Sequence, residues 1–183
     1  MNIFYLHHDP VICARQHNDR HVSKMIVETA QLLSTAHHEL DGEPSILCYK
    51  RAHWNHPSAK WCRENKENYL WLHSLLVELC VEYTHRFSDT IGRTKIHKTE
   101  RDGIVNNLLL LPYEMPVGKF TEPPQCFGDY YDACAVENDS ITAYRNYYNK
   151  AKQFDKAGRP LHVWTKRDIP EWFTIEENNY VVS

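Results

Sequence analysis

An all-α fold is what this chain predicts, as one helical domain with long irregular loops and an aromatic C-terminal arm, and three observations predict it. Apolar residues recur at the three-and-four spacing of a buried helical face in two long stretches, His17 to His38 and Asn68 to Phe87. Alternating apolar and polar runs are almost absent, leaving at most two short strands at the termini. A length of 183 residues, with 42% hydrophobic and 12% aromatic content, suffices for one proper core. The division expected is a helical domain over 1–158, with residues 159–183 as an arm packed on the same domain.

The elements follow in order. Residues 1–6 are a short apolar run ending at His7-His8-Asp9-Pro10, where Pro10 fits the opening of a brief helix through Cys13 and Ala14. The next helix carries two stripes. Val22, Met25, Ile26, Thr29, Leu32, Leu33 and Ala36 form the apolar one; His17, His21, Lys24, Glu28 and Gln31 follow the same spacing about one step round. A core helix requires only the first stripe, so the second marks side chains held rigidly at the core's edge, where a working group has to be held. Asp41-Gly42-Glu43-Pro44 is turn chemistry, and Pro57 fits the first turn of a further helix. Tyr69, Leu72, Leu76, Leu79 and Tyr83 make the second long helix the packing partner of the first. Two more helices are expected over 98–111 and 139–154, with 112–128 as an irregular connection around its Pro-Pro step.

Composition narrows the function. Twenty-one Lys and Arg against 24 Asp and Glu give a net charge of -3, without the basic excess of a tight non-specific DNA binder. Six cysteines without a C-x-x-C pair, and no signal-peptide start, read as reduced thiols in a cytoplasm. No apolar run reaches the roughly 18 residues of a membrane span. Phosphate-loop, dinucleotide and serine-elbow motifs are absent.

Three constellations remain. His17 and His21 stand at i and i+4, a spacing that suits two imidazoles on one metal, although ordinary polar helix residues fit the pair equally; no cofactor is expected. Lys50 to Arg63 interleaves Lys50, Arg51, His53, His56, Lys60 and Arg63 with Tyr49, Trp54 and Trp61, offering cations for phosphate and rings for bases. The plainer reading closes the core with the tryptophans and leaves the charges solvated. A second cluster, His162, Trp164, Lys166, Arg167, Trp172 and Phe173, reads equally as an arm folded over the core.

The order Asp19-Arg20-His21-Val22-Ser23-Lys24 before an apolar helix bearing Glu28, then Trp54-Asn55-His56-Pro57-Ser58-Ala59-Lys60-Trp61, then a long Tyr and Leu helix, resembles the pyrimidine-dimer DNA glycosylases of the endonuclease V type. It also looks like a family of uncharacterised tailed-phage proteins, which implies the cytoplasm of a bacterial host. The resemblance covers the first half of the chain, with an echo in Arg167 to Phe173. It implies a glycosylase/AP lyase acting on DNA or a nucleotide: an α-amine attacks the sugar carbon and forms an imine, a helix Glu stabilises the sugar, and cations hold phosphate. An α-amine, with an ordinary pKa of about 7.7 to 8.0, is partly unprotonated near neutrality. Carried over by position, the amine belongs to Met1, or to Asn2 once Met1 is removed, and Arg20 and Lys24 face phosphate. Where the family has Arg-Glu this chain has Arg20-His21, so Glu28 or Asp19 has to supply the carboxylate and His21 an acid or base. Trp54, His56, Lys60 and Arg63 complete the expected nucleic-acid surface. Two other classes fit the same residues: a non-catalytic nucleotide or small-anion binder, and a metal-dependent hydrolase using the His cluster.

Overall fold

The computed structural model describes residues 1–89 and 91–175. Among these the chain is helical: α1 (Pro10–Gln16), α2 (Asp19–Leu40), α3 (Pro57–Glu64), α4 (Lys66–Phe87), α5 (Lys98–Arg101), α6 (Ile104–Asn107), a 3-10 turn at Gly128–Tyr130, α7 (Tyr131–Cys134) and α8 (Ser140–Ala151). The described residues hold no strand, only an isolated bridge between Phe154 and Pro160. No helix among them is long and apolar enough to cross a membrane.

Local chemistry sets the boundaries. Asp9 caps α1 by accepting from the Val11 amide at 2.8 Å, with Pro10 in the first turn where its missing N–H costs nothing. Asn18 caps α2 by accepting from the His21 amide at 2.9 Å, so the helix starts two residues later than the stripe predicts. Asn65 caps α4 through the amides of Glu67 and Asn68. The helix expected over 98–111 is instead two single turns, because Gly103 stands at φ 81° between them and breaks the hydrogen-bond ladder. The connection expected to stay irregular to Gly128 gives way there to the 3-10 turn and α7, too short for any periodic signal.

α2 and α4 form the centre, with Met25, Ile26, Leu32, Leu33, Leu72, Leu75, Leu76 and Leu79 buried in one apolar cluster. Residues 3–6 run through this core without regular secondary structure, and Ile3 and Leu6 are completely buried. The arm packs on the body as far as it is described: Trp164 donates to the Gln16 carbonyl at 3.0 Å, and Thr165 Oγ1 donates to Asp19 at 2.6 Å. Residues 176–183 of the expected arm lie outside the described residues.

One charged group sits at the join of arm and body. Arg86 is completely buried, donating to Glu82 at 2.7 Å and, at 2.9 Å each, to Asp19 and the carbonyls of His17 and Arg15. Arg167 of the arm donates to both oxygens of Glu82 at 2.9 Å. Desolvation tends to raise the Glu82 carboxyl, but the two guanidiniums prevail and hold it below the ordinary carboxylate range.

His17 and His21 are both buried. His17 follows α1 as its C-cap and is completely buried, and His21 is 4% exposed. Burial lowers His17 to about 4, against the opposing bond between its Nδ1 and the Cys13 carbonyl, and pushes His21 well below the ordinary imidazole range. Above about pH 6.5 both rings are neutral whether the chain is folded or not. Below it the unfolded chain takes up protons that the folded one refuses, so stability falls with pH. At about 1.4 kcal/mol per pH unit, His17 alone removes about 3 kcal/mol by pH 4. Urea midpoints should therefore drop steadily between pH 6.5 and 4.5, and a flat profile would contradict this account.

Candidate functional site

The buried N-terminal segment fixes the site, because residues that run through the core cannot swing. Phe4 stacks on the His21 ring at 4.4 Å and meets Tyr148 edge-on at 5.2 Å. With Phe4 held, Asn2 emerges against α2 and α8, and both polar atoms of its side chain are engaged. Its Nδ2 donates to the Cys126 carbonyl at 2.7 Å, and its Oδ1 accepts from the Ile3 amide at 2.9 Å. The Tyr144 hydroxyl lies 2.6 Å from both that Oδ1 and the Pro124 carbonyl, with its one proton to share. Burial raises this phenol well above its ordinary range, which keeps it a neutral donor.

The backbone nitrogen of Asn2 donates to Glu28 Oε2 at 3.2 Å, while Lys24 Nζ lies 3.2 Å from the other oxygen, Oε1. Lys24 and Glu28 stand one turn apart on α2, so the helix presents a cation and a carboxylate side by side at the point where residues 1 and 2 arrive. His56 belongs to the same neighbourhood. Burial lowers it first, the positive charge of the Met1 amine lowers it further, and Glu28 acts in the opposite direction. As N-cap of α3, its Nδ1 accepts the Ser58 amide at 3.2 Å, which leaves the proton of the neutral ring on Nε2. Cys126 closes the group, its thiol raised by burial and drawn back by Ser58 and the Met1 amine.

Arg20, Lys24 and His21 also line a second feature, a cleft of about 580 Å³ between α2, α8 and the segment after α8. Lys152, Lys156 and Arg159 add to it, giving five cations against one carboxylate, Asp155. That carboxylate is already engaged: Oδ1 accepts the amides of Ala157 and Arg159 at 2.8 and 2.9 Å, and Oδ2 accepts Arg159 Nε at 2.7 Å and Arg20 at 3.2 Å. These donors hold Asp155 far below the ordinary carboxylate range. His21 forms part of the lining, with Nδ1 2.6 Å from the Tyr148 hydroxyl.

The sequence-predicted residues thus divide. Met1, Asn2, Lys24, Glu28 and His56 come together, and Arg20 and His21 join them through the cleft that Lys24 shares. The loop candidates are engaged among themselves: Arg63 donates to the Trp54 carbonyl at 2.8 Å and lies 3.7 Å from Glu39, to which Arg51 also donates. Arg51 lies over the half-exposed Trp54 ring, and Lys60 is exposed. For a metal, His17 and His21 find no third ligand, and no group of three His, Cys, Asp or Glu side chains able to hold an ion occurs among the described residues. Sequence reasoning missed Tyr144 and Cys126, which fix Asn2, and Lys152, Lys156 and Arg159, which lie more than 110 residues from the helix they face. A cation at every third or fourth position from 152 to 159 is the signal that was present. Compared with protein-family models, with curated proteins and with solved structures, the chain matches none.

Proposed function

We propose that the chain is a nucleotide- or nucleic-acid-acting enzyme of the glycosylase/lyase type, working in a cytoplasm, phage-encoded by the resemblance above, through an α-amine beside Glu28. The observation that carries this reading is the 3.2 Å contact between the Asn2 nitrogen and Glu28 Oε2, with Lys24 on the other oxygen. Removal of Met1 turns that nitrogen into a primary amine already beside a carboxylate; with Met1 retained, the amine lies toward His56 and Cys126.

The chemistry assigns each group a task. The amine lone pair forms a bond to C1′ of the sugar, the bond from C1′ to the base breaks, and the base leaves with a proton. Opening of the sugar ring, with its oxygen taking up a proton, then gives an imine. Glu28 opposes the positive charge that develops at C1′. Both protons come from the attacking amine, and neutral His56 supports their transfer by a hydrogen bond from Nε2–H to the departing base or ring oxygen. Lys24 holds the Glu28 carboxylate and faces the cleft where a phosphate is received.

Borohydride trapping tests the reading. Protein whose N-terminus has been verified by mass should be incubated with an abasic oligonucleotide, and separately with 2-deoxyribose 5-phosphate, in the presence of borohydride. A covalent adduct mapping to the terminal residue is expected, and selective acetylation of the α-amine should abolish it. Absence of adduct, or an adduct distributed over lysines, overturns the reading.

A further inference from the structure

We infer that the cleft between α2, α8 and residues 155–161 receives one free nucleotide, its phosphate among Lys152, Lys156 and Arg159 and its base against Tyr130. The inference rests on the reading above only in turning the sugar toward Lys24 and Glu28.

Charge comes first. The chain carries a net charge of -3, yet this cleft gathers five cations against one carboxylate. That carboxylate is spent on the turn itself: Asp155 accepts two backbone amides and two guanidiniums and its side chain is 7% exposed. Gly158, at φ 74°, closes the turn that sets Lys156 and Arg159 at the rim. Lys152 lies over the Tyr147 ring, 4.5 Å from its centroid, and neither it nor Lys156 pairs with a carboxylate among the described residues. Arg20 and Arg159 share Asp155 and Lys24 is paired with Glu28, so Lys152 and Lys156 are the cations left to meet an anion, in a cleft whose lining is net positive.

Size and shape select the ligand. A volume of about 580 Å³ lies within the roughly 300–1,000 Å³ of small-molecule sites. From Arg20 to Glu28 the helix advances about 12 Å, against about 34 Å for one turn of a duplex. Of the cations that would extend a track beyond His56, Arg51 and Arg63 are paired with Glu39, and Lys60 stands exposed by itself on α3. An aromatic group completes the match: Tyr130 lines the cleft, is 44% exposed and is braced edge-on by Tyr147 at 5.8 Å. Concentrated positive charge beside an accessible ring suits a phosphate joined to a base better than a bare anion.

Titration calorimetry on the full chain tests this with the four deoxynucleoside 5′-monophosphates, inorganic phosphate and a 12-base-pair duplex. All four nucleotides should bind within a few-fold of one another, since stacking tolerates any base. Inorganic phosphate should bind at least tenfold more weakly than any of them. The double variant K152Q/K156Q should weaken nucleotide binding tenfold or more. Tyr130→Ala should weaken nucleotides at least fivefold and leave inorganic phosphate unchanged, with the helical circular dichroism confirming that each variant folds. No nucleotide binding, phosphate binding as tight as nucleotide, or a duplex that binds more tightly than the nucleotides and ignores Tyr130→Ala would each overturn the inference. Nucleotide binding without a borohydride adduct leaves it intact and ends the imine reading; an adduct without nucleotide binding does the reverse.

Discussion

Replacing Arg86 with alanine is expected to cost the fold about 3–5 kcal/mol, the usual penalty for removing one partner of a buried charge network. Arg86 is completely buried and bonds to two carboxylates and two backbone carbonyls drawn from the end of α1, the start of α2, and α4. Truncation leaves Glu82 buried with Arg167 alone, and strands the carbonyls of Arg15 and His17, which no water replaces cheaply. Arg86→Lys should recover little, because an ammonium cannot reach four acceptors with the geometry of a guanidinium fork. Two to four degrees of melting temperature per kcal/mol suits a chain of this size, so a fall of about 6–20 °C is expected, with urea titration giving the free energy directly. A loss below about 1 kcal/mol would mean that the network breaks even against its own desolvation.

Glu28→Gln is the second large effect, and it falls on chemistry instead of stability. The amide keeps an oxygen to accept the Asn2 N–H but loses the fixed negative charge beside the sugar carbon. Removing such a group costs about 10²–10³ in rate, so adduct formation with 2-deoxyribose 5-phosphate should slow by that factor. The melting temperature should move by no more than a few degrees, since the pair that is lost, with Lys24, is half exposed on the lysine side and worth little. An unchanged rate would remove Glu28 from the mechanism even if the amine still formed an imine.

The sequence made α2 and α4 plain because both bury continuous stripes, and periodicity reports burial. It misplaced His17 for the same reason: the spacing to His21 looks helical, but Asn18 caps α2 after it and turns His17 into the core as the end of α1. Gly103 escaped notice because one glycine inside an apolar pattern is tolerated in many helices, and only its positive φ reveals the break. The pairing of Lys24 with Glu28 was legible from their i,i+4 spacing. That Asn2 meets them was not, because no local pattern encodes a contact across 26 residues. The second cationic wall was legible only as a run of charges, with nothing to say which helix it would face.

The way Asn2 is held carries a consequence for assembly. Its side chain is fixed by Cys126 and Tyr144, which lie 124 and 142 residues further along the chain. On the ribosome Asn2 therefore emerges long before these anchors, although Phe4 and Tyr5 already have partners in His21 of α2 and Trp71 of α4. Closing so long a loop is slow, and everything between must already be in order for it to succeed. The candidate site is thus completed late in folding, and nascent chains halted before α8 should leave the Asn2 end of the segment open to protease while α2 and α4 are already paired.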